Sequence, residues 1–468
     1  MKWLKLRLMA IIVTAFAVTG CQTYTERIST YCAAFSMGNL ERADNLASAM
    51  VEDYAEEDDD RDALVVLLES ANTARLKGDF KRSQTTFARA ERIYEFWQRK
   101  ARLSLSREGV SLLTNPSTLP YRGAGADILM VNTYQTLNAL ALGDATGARQ
   151  PLMRLDSHQK EVVAENAERI AKTRDATLKS EHSTQIKQTS SSDAVKKVTQ
   201  SMMANLPDTR GYELYTNPFA EFLFAFYHRY LGVDNDDSEM ARFRMSRALA
   251  MAPENTTLRQ EVEHLEAGAP IGPSVYLFHE TGLAPYRREF ALTLPIYAGH
   301  TISWMSLALP YLERDTNYVP FAKLKSAQQS ASAELVCDME AVVSQEYQND
   351  YSGILTRAIA SATAKAALSY AMNYSARKSG DALTQFVALV GTAIYQIGTN
   401  TADTRSWISL PKQIGLCRID LPANRQVTVE CGSQKLPVTL PQGGQVYVLH
   451  LRTMHHGGKP HLSIIKIR

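Results

Sequence analysis

Gly268-Ala269-Pro270-Ile271-Gly272-Pro273 separates two kinds of periodicity in this chain. Proline has no amide hydrogen to donate and glycine loses the most freedom on ordering, so no helix runs through this stretch. Before it, from about 24 to 267, apolar residues recur at three- and four-residue steps and prolines are few, the pattern of packed helices. After it, short apolar runs are bounded by glycine, proline and polar turns, the pattern of strands, at 275–278, 290–296, 301–309, 334–337, 416–421, 427–431, 446–452 and 462–467. The expected class is α+β: an all-α half, then a half built on a mainly antiparallel sheet or sandwich.

A pair of helices should interrupt the strands. One is alanine-rich, 344–375; the other, 382–397, is capped by Asp381. The apolar run of the second is shorter than the roughly 20 residues of a membrane span, so the pair is expected to pack against the sheet.

In the helical half, one unit has a readable layout. Leu67 and Ala71 precede Gly78-Asp79-Phe80, and Ser83, Phe87 and Ala90 follow. Small residues allow two helices to approach, Gly-Asp makes the turn, and the phenylalanines fill the space behind. This resembles a tetratricopeptide (TPR) repeat, which implies stacked helix pairs and a protein-binding surface. Weaker copies centre on Gly38-Asn39-Leu40, Gly143-Asp144-Ala145 and Gly232 with Ala241, Ala248 and Pro253. Their glycines are unevenly spaced, so the expectation is an irregular helical-repeat domain with insertions. The insertion at 102–125 contains Asn115-Pro116 and Leu119-Pro120 and reads as a loop. The insertion near 156–205 begins as a charged helix and becomes poor in apolar residues around 180–192, the composition of a mobile segment. Asn217-Pro218 should cap an aromatic helix, 220–231, central to the helical core.

The first residues read differently. Lys2, Lys5 and Arg7 precede an apolar run, 8–18, and then Val18-Thr19-Gly20-Cys21. A basic head, a short apolar run and a small residue before the cut describe a secretory signal. With cysteine directly after the cut, the segment resembles a bacterial lipoprotein signal. The resemblance implies cleavage after Gly20 and lipid on Cys21. Gln22, where enteric lipoproteins retained at the inner membrane carry aspartate, points to the periplasmic face of the outer membrane. The expected organisation is thus a signal peptide, 1–20, a TPR-like helical domain, 21–267, and an α+β domain, 268–468.

Three of the 51 basic residues lie in that signal, leaving 48 against 49 acidic residues. Such a balance gives no support for a nucleic-acid partner. Cys32, Cys337, Cys417 and Cys431 remain after Cys21, in a compartment that permits disulfides. A hairpin around 422–425 would set Cys417 opposite Cys431, a candidate disulfide if the local twist is favourable; two buried thiols are the alternative. Spacing says nothing of Cys32 and Cys337.

Motifs for chemistry are scarce. H-E-x-x-H, G-x-S-x-G, Walker, C-x-x-C and dinucleotide glycine patterns are all missing, so no cofactor or metal is expected. His455, His456 and His461 sit among Gly457, Gly458 and Pro460, a turn composition. Two polar stretches are candidates for a ligand site or a structural junction: Arg287 and Glu289 before a strand, and Asp403, Arg405 and Trp407 before the last strands. An Asp-x-Arg pair beside a tryptophan can fix a junction by charge-assisted hydrogen bonds or hold a ligand carboxylate. Cys21, the Gly232…Ala248 unit, Thr356-Arg357-Ala358-Ile359 and 403–411 together resemble a family of uncharacterised bacterial lipoproteins, which implies localisation and layout but no activity. The expected function is a membrane-anchored binding or scaffolding protein without enzymatic activity. Its partners would be the bilayer, through acylated Cys21, and an envelope protein or peptide. The alternatives are an accessory factor in peptidoglycan or surface-structure assembly and a cell-wall hydrolase using Asp403, Arg405 and the histidines.

Overall fold

A computed structural model describes residues 23–103, 116–178, 183–210, 212, 217–298, 301–378 and 401–468. Its helices are α1 (Tyr24–Arg27), α2 (Ser29–Ser36), α3 (Leu40–Tyr54), α4 (Ala63–Leu76), α5 (Phe80–Leu103), α6 (Gly125–Ala141) and α7 (Ala145–Leu178). Then come α8 (Ser183–Ser190), α9 (Asp193–Ala204), α10 (Pro218–Leu231), α11 (Asn235–Met251), α12 (Thr256–Glu266) and α13 (Met339–Lys378). The strands are β1 (Ser274–Thr281), β2 (Tyr286–Ala298), β3 (Thr301–Glu313), β4 (Lys323–Lys325), β5 (Ser330–Ser332) and β6 (Glu334–Asp338). After α13 follow β7 (Gln413–Asp420), β8 (Gln426–Cys431), β9 (Gln434–Thr439), β10 (Val446–Thr453) and β11 (His461–Lys466). The fold is α+β, and the change from helix to strand falls at 268–273.

The helices pair across tight turns at all four glycines read from the sequence: α2 with α3, α4 with α5, α6 with α7 and α10 with α11. At Gly78 and Gly143 the backbone has φ of +86° and +76°, the left-handed geometry that ends a helix and that glycine adopts without a Cβ clash. Asn217 caps α10 as expected: its Oδ1 accepts from the amides of Phe219 at 2.9 Å and Ala220 at 3.1 Å, with Pro218 in the first turn.

The strands form three sheets. Five strands run in the order β11-β10-β1-β7-β6, four in the order β5-β4-β8-β9, and β2 pairs with β3 alone. All pairings are antiparallel except β1 with β10. Side chains alternate across the large sheet. Tyr276, Phe278, Val446 and Val448 join the helical core, whereas Val275, Leu277, Tyr447 and Leu449 meet Leu324, Val427 and Val429 of the four-stranded sheet. The layers are therefore helices, large sheet, small sheet. With both faces covered, β1 and β10 are buried at every position.

The helical core does not stop at the glycine–proline break. One hydrophobic cluster joins α4, α6 and α10 to β1, β7, β10 and Trp407-Ile408. On α10, Phe222 and Phe226 meet Phe278 at ring separations of 5.5 and 5.7 Å, edge to face. The aromatic helix is central, and its rings pack against the sheet.

Three expectations need correction. The strands on either side of 422–425 do not form a hairpin: β7 lies in the large sheet and β8 in the small one. The connection turns a corner at Arg425, whose φ is +55°. Its guanidinium holds that conformation by donating to Pro441 O and Tyr447 Oη, both at 2.9 Å, and to Gly444 O at 3.1 Å. Cys417 and Cys431 therefore project into the sandwich from opposite sheets, and both are free thiols, as are Cys32 and Cys337. Burial raises the Cys417 thiol to about 12 and the Cys431 thiol to about 11, so neither supplies thiolate near neutral pH. Next, the polar insertion is folded down over 183–204. Ile186 of α8 and Val195 of α9 are buried against Met305 and Leu307 of β3 and Ile359 of α13; a few well-placed apolar residues suffice when a helix needs only one narrow apolar face. Finally, the strands make three sheets instead of one sheet or one sandwich, and the short β4, β5 and β9 were not legible. The alanine-rich helix is present as α13; its expected partner at 382–397 lies outside the described residues.

Candidate functional site

The five polar residues singled out from sequence gather along one seam between the halves. Arg405 grips Asp403 with both arms, Nε to Oδ1 at 2.8 Å and Nη2 to Oδ2 at 2.7 Å. Its Nη1 donates to Leu119 O at 2.6 Å, Arg61 O at 3.0 Å and Asp62 Oδ1 at 3.3 Å. Burial would raise the Asp403 carboxyl, but Arg405 brings it below its ordinary value. The ring over the guanidinium is Tyr121, at 5.6 Å, and not Trp407. Trp407 instead packs against Phe87 and Tyr134, at 5.7 and 5.8 Å, and donates its indole N–H to Ser409 Oγ at 2.9 Å.

From β2, Arg287 donates its amide to Ser406 Oγ at 3.0 Å, and its carbonyl accepts from Thr25 Oγ1 at 3.0 Å. Its side chain lies 4.0 Å from Asp350; burial would lower its pKa, but Asp350 and then Asp403 hold it above the ordinary value. Glu289 accepts from the amide of Ala402 at 2.7 Å. Every one of the five is thus bonded within the protein, and together they tie 401–409 to α1, α4 and β2.

A second polar group, not found by sequence reading, lies under α4. Glu280 of β1 takes Arg75 Nη2 at 2.9 Å on one oxygen and His450 Nε2 at 3.0 Å on the other. Arg452 stands 3.9 Å away and donates to Gly282 O at 2.7 Å and Thr453 O at 2.9 Å. Arg75 also covers the Tyr134 ring at 3.8 Å and binds Asn72 Oδ1. Burial alone would raise the Glu280 carboxyl; Arg75, with His450 and Arg452, holds it well below the usual carboxylate range. Burial pushes the His450 imidazole below its ordinary value, and Glu280 opposes that shift. One signal was available: on β10, Val446 and Val448 share a face with His450 and Arg452, a charged end on an otherwise apolar stripe. All four residues are buried, and the charges of Glu280 and Arg75 meet each other within the protein.

Beside it, Glu69 of α4 accepts the amides of Ile408 at 2.7 Å and Ser409 at 3.2 Å and the hydroxyl of Tyr31 at 3.0 Å. Burial outweighs these bonds and raises its carboxyl from 4.5 to about 7. A carboxyl raised on folding binds its proton more tightly in the native state, so stability falls as pH rises from the unfolded value towards the folded one. Glu69→Gln is expected to remove a decline on the order of 1–3 kcal/mol across that window. Urea midpoints of both proteins at about pH 5 and pH 7 would read it. Glu346, also raised to about 7 by burial and by Asp350, keeps its own part of the slope in the variant.

The histidines near the end do not converge. His455 pairs with Asp315 at 3.3 Å, and His461 lies 2.8 Å from Gly38 O. Among the described residues, Glu91, Glu95 and His158 bring metal-ligating atoms within 4.8 Å of one another. Glu91 there accepts from Asn132 at 2.6 Å and from Arg154 at 2.7 Å, so the Arg154 guanidinium meets its charge. No protein-family model matches this chain, nor does any curated protein or solved structure.

Proposed function

We propose that the chain is a lipid-anchored binding or scaffolding protein of the bacterial envelope, held at the periplasmic face of the outer membrane by acylated Cys21. Its helical half, read as TPR-like pairs, presents the surface for a protein or peptide partner. Cys21 lies outside the described residues. Thr23 already forms the capping box of α1, so an anchor at 21 holds the folded body directly against the bilayer.

The observation that carries this reading is an apolar strip on the surface of the helices. Phe243 of α11 is 57% exposed, and Met240 of α11 and Met153 of α7 are exposed as well. Arg149 with Asp237, at 3.4 Å, and Asp156 with Arg244 link α7 to α11 through ion pairs, and the Arg247 guanidinium lies 5.7 Å from the Phe243 ring. Arg149 and Arg247 flank the strip with exposed guanidiniums, while their partners Asp237 and Glu221 are buried. An apolar centre rimmed by charge is the composition of a docking surface. The seam residues, by contrast, are spent on internal bonds, which favours binding over hydrolysis.

In-cell cross-linking followed by mass spectrometry tests this reading. The native chain is expected to capture the same envelope protein repeatedly, and Phe243→Asp to lose that capture with an unchanged melting temperature. Capture unaffected by Phe243→Asp and by Met240→Asp, or no capture at all, would contradict it.

A further inference from the structure

The β2–β3 hairpin stands apart from both other sheets. Between Glu289 and Glu313 the chain has no Asp, Glu, Lys or Arg. One face of the hairpin is covered: Met305 and Leu307 are buried against α8 and α13. The other presents Ala291, Thr293 and Ser306, all exposed, and Trp304, which is 71% exposed. A large aromatic in water, on an uncharged face of small residues, asks for a partner.

The edges of the hairpin are unsuited to another strand. The amide and carbonyl of Arg287 go to Ser406 and Thr25, so this residue and its alternates on β2 point away from β3. Pro295 falls on that outward series. Arg287 pairs with Leu312, so Pro310 falls on the matching series of β3, where its carbonyl accepts from Tyr347 Oη at 2.8 Å. A proline at an outward position removes the donor an added strand would need. The free surface is therefore the face and not the edge.

Position says what meets that face. Thr25 is hydrogen-bonded to the first residues of β2, and Cys21 precedes it by four residues, a reach of at most about 14 Å. The hairpin thus begins beside the expected lipid anchor and runs about 40 Å from it. We infer that the exposed face of β2–β3 rests on the bilayer surface, with Trp304 at headgroup level, as a second membrane contact that fixes the orientation of the anchored body. Tryptophan favours that interface, and the hairpin between Glu289 and Glu313 has no Asp, Glu, Lys or Arg to desolvate there. The inference rests on the lipid-anchor reading.

Trp304 is its own reporter. Trp97 and Trp407 are buried, and Trp3 belongs to the segment expected to be removed. The acylated mature chain is reconstituted in phosphatidylethanolamine–phosphatidylglycerol vesicles with and without brominated acyl chains. The expected result is loss of one tryptophan's share of the emission in brominated vesicles, absent in Trp304→Phe. Co-flotation with the vesicles but equal quenching in both proteins would overturn the inference and leave the anchor standing. Concentration-dependent shielding of Trp304 from acrylamide without lipid would also overturn it, because a second copy would then cover the face. Failure to float would overturn the anchor reading and this one with it.

Discussion

Replacing Glu280 by alanine is expected to lower the stability of the folded chain by about 3–5 kcal/mol, the cost of removing one partner from a buried ion pair. The loss is large because Glu280 is the shared counter-charge of Arg75 and Arg452, and both guanidiniums stay buried when it goes. Folded domains are stable by roughly 5–15 kcal/mol, so this single change removes about a fifth or more of the margin. Glu280→Ala with Arg75→Met should recover part of it, since an apolar pair of similar volume leaves fewer uncompensated charges. The effect has a pH signature of known sign. The native carboxyl lies below its unfolded value, so its contribution is fully present above about pH 5 and declines as pH falls towards the folded value. Urea midpoints of native protein and Glu280→Gln should converge in acid and separate towards neutrality. A constant gap would contradict the network.

Arg405→Ala is the second large effect, again about 3–5 kcal/mol. It takes from Asp403 its bidentate partner, leaves Asp62 to Arg27 and Arg61, and removes the donor to Leu119 O and Arg61 O. Lysine does not rescue it, because one ammonium cannot reproduce a fork that serves a carboxylate and two carbonyls together. Hydrogen exchange should quicken at 119–121 and 403–409. Partner capture at a temperature where the variant is still folded should be unchanged. Unchanged stability with lost capture would make Arg405 a ligand-binding residue instead of part of the seam.

Local features of the fold were legible because their causes are local. The break at 268–273, the four glycine turns, the Asn217 cap and the strands around 275–278, 290–296, 301–309 and 446–452 each follow from a few adjacent residues. The corner at 422–425 was misread because a short turn between two alternating runs has one appearance, whether the runs pair or part. What parts them is Arg425 reaching Tyr447 and Pro441, contacts remote in sequence. The folded-down insertion was misread for a related reason: its apolar residues are few, and the surface that receives them is supplied by β3 and α13.

The candidate site divides the same way. Asp403 and Arg405 were visible as a pair because they are two residues apart, and Arg287 and Glu289 because they open a strand. Arg75, Glu280 and His450 carry no such mark; they meet only because the fold brings the end of α4 to β1 and β10. The tyrosine over Arg405 was not legible because neighbours in sequence are not neighbours in space: Tyr121 supplies that ring, and Trp407 turns into the core against Phe87.

Both the scaffold reading and the lipid-facing hairpin depend on the chemistry of residue 21. Mass spectrometry of the amino-terminal peptide, from protein extracted out of membranes, addresses it directly. The account predicts a peptide beginning at Cys21, with a diacylglyceryl thioether on sulfur and an amide-linked acyl chain on nitrogen. A chain still beginning at Met1, or one cut elsewhere with an unmodified Cys21, would contradict it.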